Sequence, residues 1–286
     1  MTIRIKRAHR TSLALCCAVA AAFAAACGGS PRPSPTPATE RFTEVLGHKP
    51  TGLAATIAAR GVLAVANADD YPPQSYVDDK GKLVGFDVDV AAAVAKALGV
   101  QLKFVNPTWD AVPAGLRKGR FDVSIGSLAI GEGLARLVDF TQPYYYMPAR
   151  VAVKKGAATL EDAAALAGKK IGVGLQTVYL SWLQANTRAI VKGYPTDADA
   201  FSDLESGRLD GVMAAGPTLD QALEAGKPFT VSRAAFFWQR LAFAVRKGQP
   251  DLRAAFNLVI SRMRRGGTLA ELSKRWFAGS DLSVKP

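Results

Sequence analysis

Short apolar runs alternate with stretches of helical period along most of this chain. Gly61 to Ala66 is apolar and reads as a first strand, ending in a loop from Asn67 to Tyr76 where Pro72 and Pro73 forbid regular structure. Val90, Val94, Ala97 and Leu98 then share one helical face, with Asp87 or Asp89 available as the cap and Gly99 as the terminator. Gln101 to Val105 follows as a strand, Trp109, Val112 and Leu116 mark a second helix, and Val123 to Ile125 a further strand. Strands that alternate with helices predict an α/β fold in which a mostly parallel sheet is covered by helices.

The stretch Leu116-Arg-Lys-Gly119-Arg-Phe-Asp122-Val-Ser-Ile125 returns as Leu204-Glu-Ser-Gly207-Arg-Leu-Asp210-Gly-Val-Met213. Two lobes built on one plan would produce this echo, although a helix closing on glycine before a short strand is also a common local pattern. Val151 to Val153 and Leu241 to Val245 each precede a basic turn and divide the series, so they are expected to be the strands that cross between lobes. The first lobe is then discontinuous, comprising 57–149 plus 241–286, and the second, 150–240, is inserted into it. In the tail, Leu252, Ala255, Phe256, Val259 and Met263 form an apolar stripe, and Thr268 to Glu271 reads as a capping box opening the last helix.

The ends carry different information. Arg4, Lys6, Arg7 and Arg10 precede an apolar run from Leu13 to Ala26, which falls short of the roughly 20 residues that span a bilayer. Residues 1–26 therefore read as a signal peptide. Cys16, Cys17 and Cys27 are the three cysteines, all at or before the expected cleavage point, so none remains for a disulfide. Residues 27–56 are expected to be a tether and lead-in, with Gly28 to Pro37 too rich in Gly, Ser and Pro to pack. The formal charge of +12 less the four cations before residue 27 leaves about +8. Those charges are scattered rather than gathered into the basic stripe of a nucleic-acid binder. With 49% hydrophobic residues the domain has enough apolar side chains to stand on its own core.

Catalytic chemistry finds few residues to use. His9 and His48 are the two histidines, one in the signal and one before the first strand, which leaves the folded domain without an imidazole base or ligand. Gly131-Glu-Gly133 and Gly172-Val-Gly174 lack the third glycine of a dinucleotide loop. No cofactor or metal is implied, and acids are the catalytic type that remains.

The order Tyr71-Pro-Pro, Gly85-Phe-Asp87-Val-Asp89, Trp109-Asp110, Gly119-Arg-Phe-Asp122 to Gly126-Ser127, and Val138-Asp-Phe140-Thr-Gln-Pro143-Tyr144 resembles family 3 of the bacterial solute-binding proteins. The resemblance covers about residue 60 to 278. It implies a type II periplasmic-binding-protein fold, two lobes that close on a small-molecule ligand, and an extracytoplasmic monomer that serves an ABC permease and its ATPase. Ala24-Ala-Ala26-Cys27 resembles a lipoprotein signal, with Cys27 as the lipid anchor to the membrane. Two other readings stay open: a cyclohexadienyl-dehydratase-like enzyme using a cleft acid on the same fold, and a non-transport envelope sensor or scaffold.

By the same resemblance Tyr71 and Trp109 sandwich the ligand, Gly126 and Ser127 meet its polar groups at a strand end, and Thr177 opens a helix whose N–H groups receive an anion. The departures concern charge. Leu134 stands where such receptors hold the arginine that grips a ligand carboxylate, and Ala215 where they hold the acid that pairs with its ammonium. Arg136 lies about 200° further round the helix and should point away. Gln74 replaces an aromatic residue and Gln176 a glycine. With Asn67, Gln142 and the aromatics Tyr144, Tyr145, Trp182 and Trp238, the site is expected to suit a neutral polar or aromatic molecule. Asp69, Asp70 or Asp110 could instead receive an amine, and Arg150 or Arg240 a carboxylate from another direction.

Overall fold

The computed structural model describes residues 37–175 and 177–285. Helices α1 (Ala38–Leu46) and α2 (Gly52–Arg60) come first, within and just after the stretch read as lead-in. Phe42, Val45, Ala54 and Ile57 explain why this part folds: their side chains are buried in the main core, and that burial outweighs the freedom of a linker. The chain continues through β1 (Val62–Ala66), β2 (Asp70–Tyr71), β3 (Ser75–Val77), β4 (Leu83–Val84), α3 (Phe86–Leu98), β5 (Gln101–Val105), α4 (Val112–Arg117), β6 (Val123–Ala129), α5 (Glu132–Ala135) and the long β7 (Asp139–Lys154). Then follow β8 (Lys170–Gly174), α6 (Val178–Asn186), β9 (Ile190–Tyr194), α7 (Asp197–Glu205), β10 (Gly211–Ala215), α8 (Gly216–Glu224), β11 (Phe229–Val231), β12 (Phe237–Val245), α9 (Pro250–Arg265) and α10 (Thr268–Trp276).

One sheet runs in the order β5-β1-β6-β12-β7-β10-β8-β9, with β11 on β7 and a separate small sheet β2-β3-β4. Read from its middle, the sheet repeats a plan. In each half an inner strand (β1 or β8) has parallel neighbours on both sides, and a long antiparallel strand (β12 or β7) closes it at the centre. β7 and β12 pair antiparallel with each other, and the register shifts where β12 passes from Tyr145 to Pro143, a residue with no N–H to give.

The echo in the sequence has a physical counterpart. Asp122 Oδ2 accepts from Ala64 N at 2.7 Å while Asp122 N donates to Ala64 O at 2.9 Å; Asp210 and Lys170 repeat both bonds at 2.7 and 2.9 Å. In each half the acid after the Gly-Arg turn ties the start of one strand to its neighbour, which is why the pattern recurs.

Among the described residues four apolar clusters hold the halves. The largest packs α1, α2, α3, α9 and α10 on the sheet around Phe86, Phe243 and Phe256, and a smaller one lies under α4 and α5 around Leu116, Phe121 and Val138. Two more cover the faces of β8 and β10 around Phe201 and Leu219 on one side, and Leu166 and Leu183 on the other. The predicted capping box fails at α10: Gly267, left-handed at φ 79°, is the N-cap and no side chain caps the helix. Among the described residues no helix is long and apolar enough to cross a membrane.

Candidate functional site

The loop after β1 is fastened to the start of α3. Pro73 O accepts from Phe86 N at 3.1 Å and Gln74 O from Asp87 N at 2.8 Å, so loop carbonyls satisfy the N–H groups that a side-chain cap was expected to serve. Neither Asp87 nor Asp89 caps. Gly85 permits the approach, because at φ 135° a Cβ there would stand 2.3 Å from Gln74 O.

Asp87 is instead fully buried. Its Oδ1 accepts from Tyr144 Oη at 2.5 Å and its Oδ2 from Ser127 Oγ at 2.7 Å. Tyr145 Oη lies 2.5 Å from the same serine oxygen, and Ser127 N donates to Tyr144 Oη at 3.0 Å. Burial raises the Asp87 carboxyl from 3.8 to about 7, against the two hydroxyl bonds that lower it. Both tyrosine hydroxyls are pushed well up, by burial first and then chiefly by the neighbouring charge or hydroxyl.

This network corrects three expectations. Tyr144 and Tyr145 are core residues with no exposed surface, and Ser127 directs both its hydroxyl and its N–H into the same core rather than toward a ligand. Ser127 holds φ 57°, a conformation rare for a side-chain-bearing residue, which the surrounding bonds maintain.

Tyr71 and Trp109 do come together beyond the ends of β1 and β5. Their ring centroids are 6.0 Å apart at 89°, an edge-to-face contact and not two parallel walls. Trp109 is 44% exposed, and the Tyr71 hydroxyl donates to Met147 Sδ at 4.0 Å. Beside Trp109, Asn67 and Gly126 line a small cavity with Val112 and Ser124. A Cβ at Gly126 would meet Asn67 Oδ1 at 3.4 Å, so glycine leaves that amide room over the strand. Asn67 is 3% exposed and neither of its amide atoms has a partner among the described residues; Gln74, wholly buried, shares this condition. Asp70 lies exposed on β2 and Asp69 and Asp110 are exposed as well.

From the second half, Thr177 caps α6: Oγ1 accepts from Leu180 N at 3.2 Å and donates to Gly174 O at 2.8 Å. Its hydroxyl is therefore engaged, and what the helix start offers a ligand is backbone N–H. Gln176 lies outside the described residues. Tyr179 Oη donates to Met147 Sδ at 3.8 Å, so tyrosines from both halves converge on one thioether of β7. Burial first, then the charge of Asp87 (for Tyr71) or the nearby Tyr71 hydroxyl (for Tyr179), then Asp197, holds both phenols up.

The clamp positions are occupied by packing. Leu134 sits against the cluster of Leu128, Val138 and Ala244, while Arg136 is exposed. Ala215 is 3% exposed within the main core. Gln142 was expected in the cleft but binds α9, donating from Nε2 to Asn257 O at 2.6 Å and Ser261 Oγ at 2.7 Å. Trp182 stacks on Phe237 at 5.1 Å and 23°, and Trp238 packs on the main core. Arg150 points its guanidinium to Asp220 at 4.0 Å, and Arg240 is exposed.

Met147, Tyr179 and Asp197 were missed by the sequence reading. Asp197 opens α7 just after β9, the strand that corresponds by topology to β5 with its Trp109 loop. The internal echo, carried one strand further, would have pointed there. A surface hollow of about 500 Å³ lies at the far end of α6 among Ala163, Ala167, Ala185 and Arg188. It is remote from the strand ends and brings no buried polar group, so it is not the site.

Residues 63–279 match the bacterial extracellular solute-binding proteins, family 3. The chain belongs to that family. This family 3 protein is 37% identical over 235 residues to the L-cystine-binding protein TcyJ of Escherichia coli K12, covering 81% of this chain and 88% of that protein. It is 32% identical to an L-arginine-binding protein of Pseudomonas aeruginosa over 78% of this chain and 90% of that one. An ancestral amino acid-binding protein described as a precursor of cyclohexadienyl dehydratase superposes with a TM-score of 0.65 at 32% identity, covering 78% of this chain and 97% of it. The expected fold, that of two-lobed amino-acid-binding proteins, is therefore the observed one.

Proposed function

We propose that this family 3 protein is the capture subunit of an ABC importer, anchored outside the cell membrane by lipid on Cys27. In this reading its lobes, 57–149 with 241–286 and 150–240, close about β7 and β12 on a small nitrogenous solute. One observation carries it: the strand ends of both halves converge on Met147 through Tyr71 and Tyr179, the open-sheet position where ligands bind. Closure there is a hinge movement, since the two long strands are the links that bend. The clamp positions, filled by Leu134 and Ala215 side chains packed in apolar clusters, favour a ligand other than an ordinary zwitterionic amino acid. A buried unpaired carboxylate or ammonium costs several kcal/mol.

The test is a thermal-shift screen of the full chain in mild detergent against amino acids, amines, opines, nucleobases and aromatic acids. A true ligand at 100-fold over its Kd adds about 2.7 kcal/mol of stability. No stabilisation by any class would refute capture and favour an envelope scaffold, and conversion of a cyclic acid to product would favour the dehydratase-like alternative. Fatty-acid labelling of the expressed chain should be lost in Cys27→Ser.

A further inference from the structure

Asp197, partly buried, differs in its partners from other buried or part-buried acids of the domain. Asp122 is met by Arg60 and by Ala64 N; Asp203 by Arg208, Lys192 and Tyr194; Asp87 by Tyr144 and Ser127; Asp220 by Arg150 at 4.0 Å. Among the described residues no donor reaches the carboxylate of Asp197, and burial alone raises its proton affinity. Nor does the helix need it as a cap, because Thr196 already accepts from Asp199 N at 3.1 Å.

Its position is at the strand ends. A Cβ at Gly174 would lie 3.5 Å from Asp197 Oδ1 and 3.1 Å from Thr177 Cγ2, so the acid stands against the end of β8 and the start of α6. Its charge acts on the hydroxyls of Tyr71 and Tyr179, the pair that meets on Met147. Tyr71 in turn touches Trp109, which lines the cavity with the unpartnered amide of Asn67. No described cation answers Asp197 from the clamp positions: Leu134 packs in an apolar cluster, Arg136 is exposed, and Arg150 turns to Asp220. The region therefore presents an acid, two aromatic rings and the amide oxygen of Asn67, each of which can receive a cation.

We infer that Asp197 receives the amine or guanidinium of the ligand, so that this receptor takes organic cations and requires no ligand carboxylate. The inference rests on the capture reading above and names its substrate class. Asp197 then does from the head of α7 what the missing acid at position 215 does not do from the end of β10. The carboxylate of an amino acid finds no cationic side chain at position 134, where Leu134 packs in an apolar cluster.

Isothermal titration of the full chain in detergent with agmatine (arginine without its carboxylate), putrescine, L-arginine and L-cystine tests this. Agmatine should bind at least as tightly as L-arginine. Asp197→Asn should weaken agmatine tenfold or more, and Asp197→Glu should retain part of the affinity. A role confined to α7 would lower the melting temperature of the unliganded Asp197→Asn chain and leave agmatine affinity unchanged, which overturns the inference. Agmatine binding 100-fold more weakly than L-arginine or L-cystine overturns it in the wild type, with no variant needed, and leaves the capture reading standing. Failure of all four probes while the wider screen finds another ligand overturns it in the same selective way; failure of every compound in both removes the capture reading too.

Discussion

Replacing Asp87 with asparagine should remove a specific pH dependence from the stability of the domain. The carboxyl sits at about 7 in the folded chain against 3.8 when free, with burial as the main cause. A raised value means that the native state holds a proton which the unfolded state releases between those two limits. The associated stability is fully present below 3.8 and is lost as pH rises through about 7. For one such group, the difference between pH 8 and pH 5.5 integrates to about 2 kcal/mol in favour of the lower pH. In a domain of this size that is about 4–8 °C in Tm. Asparagine cannot ionise, and it keeps an acceptor for the Tyr144 hydroxyl and a donor for Ser127 Oγ, whose own proton can turn to Tyr145. Denaturant titrations of wild type and Asp87→Asn at the two pH values isolate the effect, since all other groups are shared. A difference between the two proteins that changes by less than about 0.5 kcal/mol across this interval would show that the Asp87 site does not hold a proton as reasoned.

Other substitutions probe the elements around the site. Gly85→Ala places a Cβ 2.3 Å from Gln74 O at φ 135° and should cost at least about 3 kcal/mol in urea unfolding, freeing the Tyr71 loop from α3. Thr177→Ala removes the cap of α6 and should cost about 1 kcal/mol, measured the same way. Leu134→Ala should lower stability by about 1–2 kcal/mol through lost packing on the cluster of Val138 and Leu128, and leave ligand affinity by calorimetry unchanged, because a leucine offers a ligand carboxylate no donor.

Some of this was written plainly along the chain. The run Val62–Ala66, the strand Gln101–Val105, the helix ending at Gly99 and the apolar stripe of α9 depend on periods of two or 3.6 residues and on backbone preferences, so neighbours in sequence carry them. The echo of Gly119-Arg-Phe-Asp122 in Gly207-Arg-Leu-Asp210 belongs with these, as the same acid-to-strand bonds close both halves. Capping was less legible. Asp87, Asp89 and Thr268 have the right chemistry at the right offsets, yet the carbonyls of Pro73 and Gln74 and a left-handed Gly267 fill those places. A cap is a competition between local side chains and whatever the fold brings near, and the second competitor is invisible in a local window.

The sequence by itself determined the family, the α/β order and the doubled plan, and it shows uncharged residues at Leu134 and Ala215, because each is a matter of residue type and spacing. Tertiary structure alone decided which polar groups remain available. Ser127, Tyr144 and Tyr145 carry hydroxyls suited to a ligand, but in the core Ser127 and Tyr144 bond Asp87, where an unsatisfied carboxylate would be costly, and Tyr145 bonds Ser127. Asp197 carries no motif, yet the packing of α7 against the end of β8 leaves its charge half-buried and without a described partner. Whether a polar side chain serves the core or a ligand depends on which partners the rest of the chain brings within about 3 Å, and that distance is a property of the folded chain.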